Sequence, residues 1–142
     1  PIHVKRDNIE VCPGTPLLWD QRYAGAFKDL KFFHAAVLVG SIVSKPSEDL
    51  ICLNLGHKSV ASEMDFPRLK LLNMKNLKQV SHSEEHLVVE CNGSDEYSVG
   101  TICYAIPTHI CPTVPKYEKV LTVIDGEVTG DWKVAARDHS TK

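Results

Sequence analysis

Ala35-Ala-Val-Leu-Val-Gly-Ser-Ile-Val-Ser44, Lys45-Pro-Ser-Glu-Asp49 and Leu50-Ile-Cys-Leu-Asn-Leu55 form the stretch that decides the fold. The first run is rich in β-branched residues, the second is a proline-bearing turn, and the third returns as a short apolar run. That order reads as two antiparallel strands. Downstream the grammar repeats. His86-Leu-Val-Val-Glu-Cys91 runs into Asn92-Gly-Ser-Asp-Glu96, a hairpin signal, and Ser98 to Ile106 reads as another strand. Lys119-Val-Leu-Thr-Val-Ile124 meets a second hairpin signal at Asp125-Gly126. Trp132, Val134 and Ala136 alternate with Lys133, Ala135 and Arg137, the period of a strand with one buried face. The fold expected is mainly β, a small antiparallel barrel or Greek-key-like domain.

Upstream the pattern changes. Trp19, Tyr23, Phe27 and Leu30 recur on one face of a helix, with Asp20 as its N-cap and Gly25 weakening it by about 1 kcal/mol. The aromatic cluster between Trp19 and Phe33 suits either core packing or a surface on which something docks. A short helix near the N-terminus is therefore expected before the β region.

The totals narrow the class. A chain of 142 residues is long enough to bury a core. Its net charge of -2 leaves no basic footprint for nucleic acid or anionic lipid. No apolar run reaches the roughly 18–20 residues that span a bilayer, and residues 1–7 lack the apolar centre of a secretory signal. The expected setting is the cytoplasm, without nucleic acid or membrane as partner. Five cysteines (Cys12, Cys52, Cys91, Cys103 and Cys111), odd in number and widely spaced, argue against a disulfide framework or a four-cysteine zinc site. Those inside apolar runs read as small buried hydrophobes.

Chemistry concentrates in Pro107-Thr-His-Ile-Cys-Pro-Thr113. In an extended chain residues i and i+2 share a face, so His109 and Cys111 can converge on one divalent ion. Pro112 favours an extended Cys111, and the two prolines place the segment at a strand end or edge. Taken alone, the spacing also suits a hydrogen-bonded histidine beside a packed thiol. Two ligands are too few for a closed structural zinc site, so an ion held here keeps positions open for water or substrate. A closed site would need two more ligands from His57, His86 or Glu63. Two further concentrations are Asn54-Leu-Gly-His-Lys58 and Ser81-His-Ser-Glu-Glu-His86. His57 and Lys58 are candidates for support of the metal pair, or form a surface turn. Glu85 and His86 are a candidate acid–base pair, or a polar strand start.

These segments occur in a telling order: Pro13-Gly-Thr15 with Trp19-Asp20, Leu55-Gly-His-Lys-Ser59, Ser83-Glu-Glu-His86, Pro107 to Thr113, then Asp125-Gly126 with Trp132 and Ala136-Arg137. Together, from about Ile9 to Arg137, they resemble the carboxy-terminal part of the D-threonine aldolase and D-serine dehydratase family, relatives of alanine racemase. The resemblance implies a lyase acting on D-β-hydroxy-amino acids. Its amino-terminal barrel would carry pyridoxal phosphate on a lysine, and a divalent metal would sit on His109 and Cys111. Cysteine at the second position leans towards zinc, with manganese as the other choice. The barrel expected of the family is missing from the 142 residues, and Lys58 belongs to a β-domain motif and does not replace the cofactor lysine. The opening Pro1, with no initiator methionine, is what a processed or excised piece would give. The expected organisation is therefore a joining segment over 1–34 and a metal-binding β domain over 35–142, inactive without the barrel. Its expected partners are that barrel, a small D-amino acid and a second copy in a homodimer. The alternative is a stand-alone β-module for binding or assembly, with a structural metal or none.

Overall fold

In the computed structural model, which describes residues 7–10 and 12–138, the stretch quoted first folds into a hairpin. The first residues of the 1–34 segment and the last of the 35–142 span lie outside the described set. Strand β1 runs Leu38–Ser47 and β2 runs Leu50–Leu53. Alternation assigns the faces: Leu38 and Ile42 turn inward while Val39 and Val43 face outward. β1 starts later than the apolar run and continues through Lys45-Pro46, which shrinks the turn to Glu48-Asp49. Pro46 is tolerated because the ladder slips between Ser44 and Ser47, so no ladder bond asks for its missing N–H.

Four more strands join: β3 (Leu69–Leu71), β4 (Leu77–His82), β5 (Leu87–Cys91) and β6 (Ile102–Pro107). They assemble in the order β3-β6-β1-β2-β5-β4, every neighbouring pair antiparallel. The sheet curls into a half-barrel around Ile42, Ile51, Leu53, Leu69, Leu87 and Val89. Its two edge strands are joined by a side chain. The Gln79 side-chain carbonyl on β4 accepts the Arg68 N–H at 2.8 Å, and its amide donates to the Leu69 carbonyl at 2.6 Å. Cys91 and Cys103 line the core as small apolar groups, and burial pushes both thiols above their ordinary pKa. All five cysteines are free.

Three local expectations are corrected. Asn92-Gly93 does not close a hairpin: Gly93 (φ 88°) leads into a 3-10 turn, Ser94–Glu96, and β6 pairs with β1 and β3 instead of β5. The crossing is pinned beside the β1–β2 turn, where the Ser94 hydroxyl donates to the Glu48 carbonyl and Lys45 Nζ to the Ser94 carbonyl at 2.9 Å. The N-terminal helix α1 is short, Gln21–Ala26. Asp20 caps it as expected, accepting the Tyr23 N–H at 2.9 Å. Trp19 cannot belong to the helix because its φ is 55°, in the left-handed region, and the chain leaves helical geometry at Phe27. Trp19 is nevertheless buried, packed on Tyr23 and Phe32 with ring centroids 5.7 and 5.0 Å away.

The third correction concerns the C-terminal region. β7 (Lys119–Ile124) and β8 (Glu127–Lys133) form a separate two-stranded sheet. Their turn is as expected: Asp125 (φ 50°) and Gly126 (φ 85°) both take the left-handed values that a tight hairpin demands. The expected buried face over 132–137 is absent. β8 stops at Lys133, residues 135–137 form a 3-10 turn, and Trp132 is 69% exposed. No described layer covers the hairpin, so the period of two gives alternation without burial. No helix among the described residues is long and apolar enough to cross a membrane.

Candidate functional site

The segment bearing His109 and Cys111 leaves the sheet where β6 ends at Pro107 and is fastened at once. The Thr108 N–H donates to the Arg68 carbonyl at 2.9 Å, and its own carbonyl accepts the Arg22 N–H at 3.1 Å. Ile110 is buried, and its N–H donates to Asp20 Oδ2 at 3.1 Å. Asp20 therefore caps α1 with one oxygen and holds this segment with the other. Residues 111–113 form a turn, with the Thr113 and Val114 N–H groups both donating to the Ile110 carbonyl at 3.0 Å. The Thr113 hydroxyl donates to the His109 carbonyl at 2.7 Å and accepts the Ala61 N–H at 3.1 Å.

Cys111 is thus in a turn and not extended; the backbone bonds that close the turn outweigh the preference that Pro112 imposes on its neighbour. Ile110 is buried, and in the chain it separates the partly buried His109 from the exposed Cys111. His109 Nδ1 meets Glu63 Oε1 at 2.5 Å, and its Nε2 has no hydrogen-bond partner among the described residues. The exposed Cys111 Sγ meets the Thr15 hydroxyl at 3.5 Å. Burial works to raise the Glu63 pKa, but its own backbone N–H and the His109 contact outweigh this and hold the carboxyl below its ordinary range. Among the described residues no three His, Cys, Asp or Glu side chains converge as a metal set. His57, His86 and Glu63 therefore do not close a four-ligand site around the pair. One imidazole nitrogen and one exposed thiol are donor types that suit an ion with open positions.

The two other polar concentrations meet each other. Gly56, His57 and Lys58 donate their N–H groups to the carbonyls of Glu85, Ser83 and Glu84 at 3.1, 2.8 and 3.0 Å. A Cβ at position 56 would come within 2.3 Å of the Glu84 and Glu85 backbone, so only glycine permits the approach. Lys58 Nζ lies 2.6 Å from Glu85 Oε1 and 3.4 Å from Glu84 Oε2, all three exposed, and the Glu85 hydrogen bond raises the lysine pKa. His86 is exposed on the same loop. His57 turns elsewhere: Arg68 Nη1 lies 3.2 Å from His57 Nε2 and 2.9 Å from His82 Nδ1, while His82 Nε2 meets the Leu55 carbonyl at 2.9 Å. No hydrogen bond joins Glu85, His86, His57 or Lys58 to His109 or Cys111 among the described residues. Sequence spacing gave no sign of Arg68 as a hub, since its partners lie 11 and 14 positions away.

A family model described as "Putative serine dehydratase domain" matches residues 35–123. The chain belongs to this family. The serine dehydratase-type domain is also 28% identical over 112 residues to a D-threonine aldolase from Arthrobacter sp., covering 78% of this chain and 29% of that protein. Its fold matches the D-threonine aldolase of Filomicrobium marinum with a TM-score of 0.76 and 23% identity, covering 88% of this chain and 34% of that one. It also matches D-threo-3-hydroxyaspartate dehydratase from Delftia sp. HT23, with a TM-score of 0.60, 14% identity, and coverage of 71% of this chain and 32% of that one. Two mutant structures of D-threo-3-hydroxyaspartate dehydratase match as well (TM-scores 0.61 and 0.60; 13% and 12% identity; 71% of this chain in both, 31% and 32% of theirs). One replaces a histidine by alanine; the other replaces a cysteine two positions further on and is in the metal-free form. The domain spans about a third of the length of these relatives.

Proposed function

We propose that this chain is the β domain of a lyase acting on D-β-hydroxy-amino acids, of the D-threonine aldolase or D-serine dehydratase type. In this reading His109 and Cys111 bind a divalent ion, zinc being favoured over manganese by the softness of a thiolate. The observation that carries the reading is the state of His109: Glu63 occupies Nδ1 and Nε2 is unpartnered among the described residues, two positions from the exposed Cys111, within a serine dehydratase-type domain. The same two-residue spacing of histidine and cysteine in the dehydratase mutants supports it.

An ion bound there would supply Lewis-acid polarisation at the substrate's β-hydroxyl or carboxylate. Pyridoxal phosphate, supplying the electron sink, would be held on a barrel belonging to the longer polypeptide. The chain's own residues do the rest. Asp20 and Thr113 fix the peptide unit that follows His109, one through the Ile110 N–H and the other through the His109 carbonyl. His57 acts at a distance, because it meets the same Arg68 whose Nε holds the Met64 carbonyl at 3.0 Å, next to Glu63. Glu85, kept in place by Lys58, and His86 are proposed for positioning substrate or moving its proton. The proposed partners are the barrel, a small D-amino acid and a second copy in a homodimer.

Metal content measures the site directly. The chain is expected to bind zinc or manganese stoichiometrically, and a His109→Ala, Cys111→Ala variant to lose it. In a barrel-bearing polypeptide the same variant is expected to lose turnover of D-threonine and D-serine. Unchanged metal content in the double variant would sink the assignment.

A further inference from the structure

The contact between Glu63 and His109 has a cause in the fold that carries it past coincidence. Glu63 sits in the loop between β2 and β3, tied down on both sides of it. Before it, the Ala61 N–H donates to the Thr113 hydroxyl, which itself holds the His109 carbonyl. After it, Arg68 Nε donates to the Met64 carbonyl, the Arg68 carbonyl receives the Thr108 N–H, and the Thr108 hydroxyl donates to the Pro67 carbonyl at 2.5 Å. The two segments are thus stitched together both before and after the pair, and the carboxylate meets the imidazole between fixed backbones. A neutral imidazole carries one proton, and whichever nitrogen donates it leaves the other as a lone pair. A carboxylate accepts only, so at Nδ1 it demands the N–H there and leaves Nε2 as the donor atom for whatever lies outside.

We infer that Glu63 is a positioning residue that locks His109 in the Nδ1–H tautomer and presents Nε2 outward as the metal-binding atom. The inference rests on the metal reading above only for its last step, because the tautomer is a property of the chain without any ion. Glu63 itself contributes no bond to the ion. Its effect is on ring orientation and on the basicity of Nε2, the kind of contact whose loss lowers metal affinity about 10–100-fold.

The test has two arms on the full chain. The first is nitrogen–proton correlation spectroscopy of histidine-labelled, metal-free protein at pH about 8.5, above the ordinary imidazole range of about 6.5. It is expected to find His109 as Nδ1–H, shifting towards Nε2–H in Glu63→Ala and recovering in Glu63→Asp or Glu63→Gln, which keep an acceptor. The second arm titrates zinc by competition with a chelating dye, where Glu63→Ala is expected to bind about 10–100-fold more weakly than the native chain. Glu63 lies on an exposed loop, and the Asp and Gln variants guard against a loss caused by misfolding. A native His109 already in the Nε2–H tautomer would overturn the proposal, as would a tautomer that ignores Glu63→Ala. Native-strength zinc binding in Glu63→Ala would overturn its last step. Zinc binding that survives His109→Ala would instead defeat the metal reading and leave the tautomer result standing.

Discussion

Both carboxylate oxygens of Asp20 face backbone N–H groups, Tyr23 on one side and Ile110 on the other, and the side chain is fully buried. Replacing it removes a helix cap and strands a second N–H in an apolar setting at once. Asp20→Ala is expected to lower unfolding stability by about 2–4 kcal/mol, summing a cap loss of about 1 with a stranded-donor cost of about 1–3. Asp20→Asn, with one acceptor oxygen left, should lose less. Urea unfolding of the two variants checks the order, and equal losses would mean that only one of the contacts matters. The sequence indicated the cap but not the second contact, because Ile110 lies 90 positions away. Glu63 was visible in the same partial way: its residue type marked it as a possible ligand, while its actual place on Nδ1 depends on how the β2–β3 loop is tied.

At the scale of elements, β4 introduces a pH response. His82 is half-buried, and its pKa is lowered mainly by that burial, assisted by the neighbouring His57 and Arg68, against a raising bond to the Leu55 carbonyl. The unfolded chain then takes up a proton near pH 6.5 that the folded chain refuses, so stability is full above that pH and declines as pH falls below it. The groups facing His82 are His57 and Arg68, and protonation of His82 would set a second cation against the guanidinium that donates to it. Urea unfolding at pH 8 and 5.5 is expected to show the decline, and His82→Gln to flatten it; an equal slope in both would put the acid sensitivity elsewhere. β4 is also where sequence reading fell short. Leu77-Lys-Gln-Val-Ser-His82 is polar and only half-buried, and Leu69-Lys-Leu71 is three residues long, so neither edge strand has the apolar run that made β1, β2, β5, β6 and β7 legible. The Asn92-Gly93 signal was real chemistry, a left-handed glycine, but left-handed geometry serves a crossing as well as a hairpin.

Taken whole, the molecule has one well-filled half-barrel and one bare arm. Val120, Thr122 and Ile124 share one face of β7, Leu121 and Val123 the other, and Val128 and Trp132 on β8 are exposed with them. Among the described residues little covers either side of this apolar arm, and such a surface drives association. Sedimentation at micromolar concentration is expected to show oligomers, and a Leu121→Lys, Ile124→Lys variant to sediment as a monomer with unchanged circular dichroism. A native chain that stays monomeric would mean the arm is harmless as it stands. A different freedom follows from the junction at Gly56. Its three N–H groups grip the carbonyls of residues 83–85, a main-chain hold that stands apart from the exposed Lys58 bridges to Glu84 and Glu85. Those positions can be rewritten without disturbing the sheet beneath. A protein engineer seeking a new reaction from this domain has a row of replaceable letters there, set on a frame that does not read them.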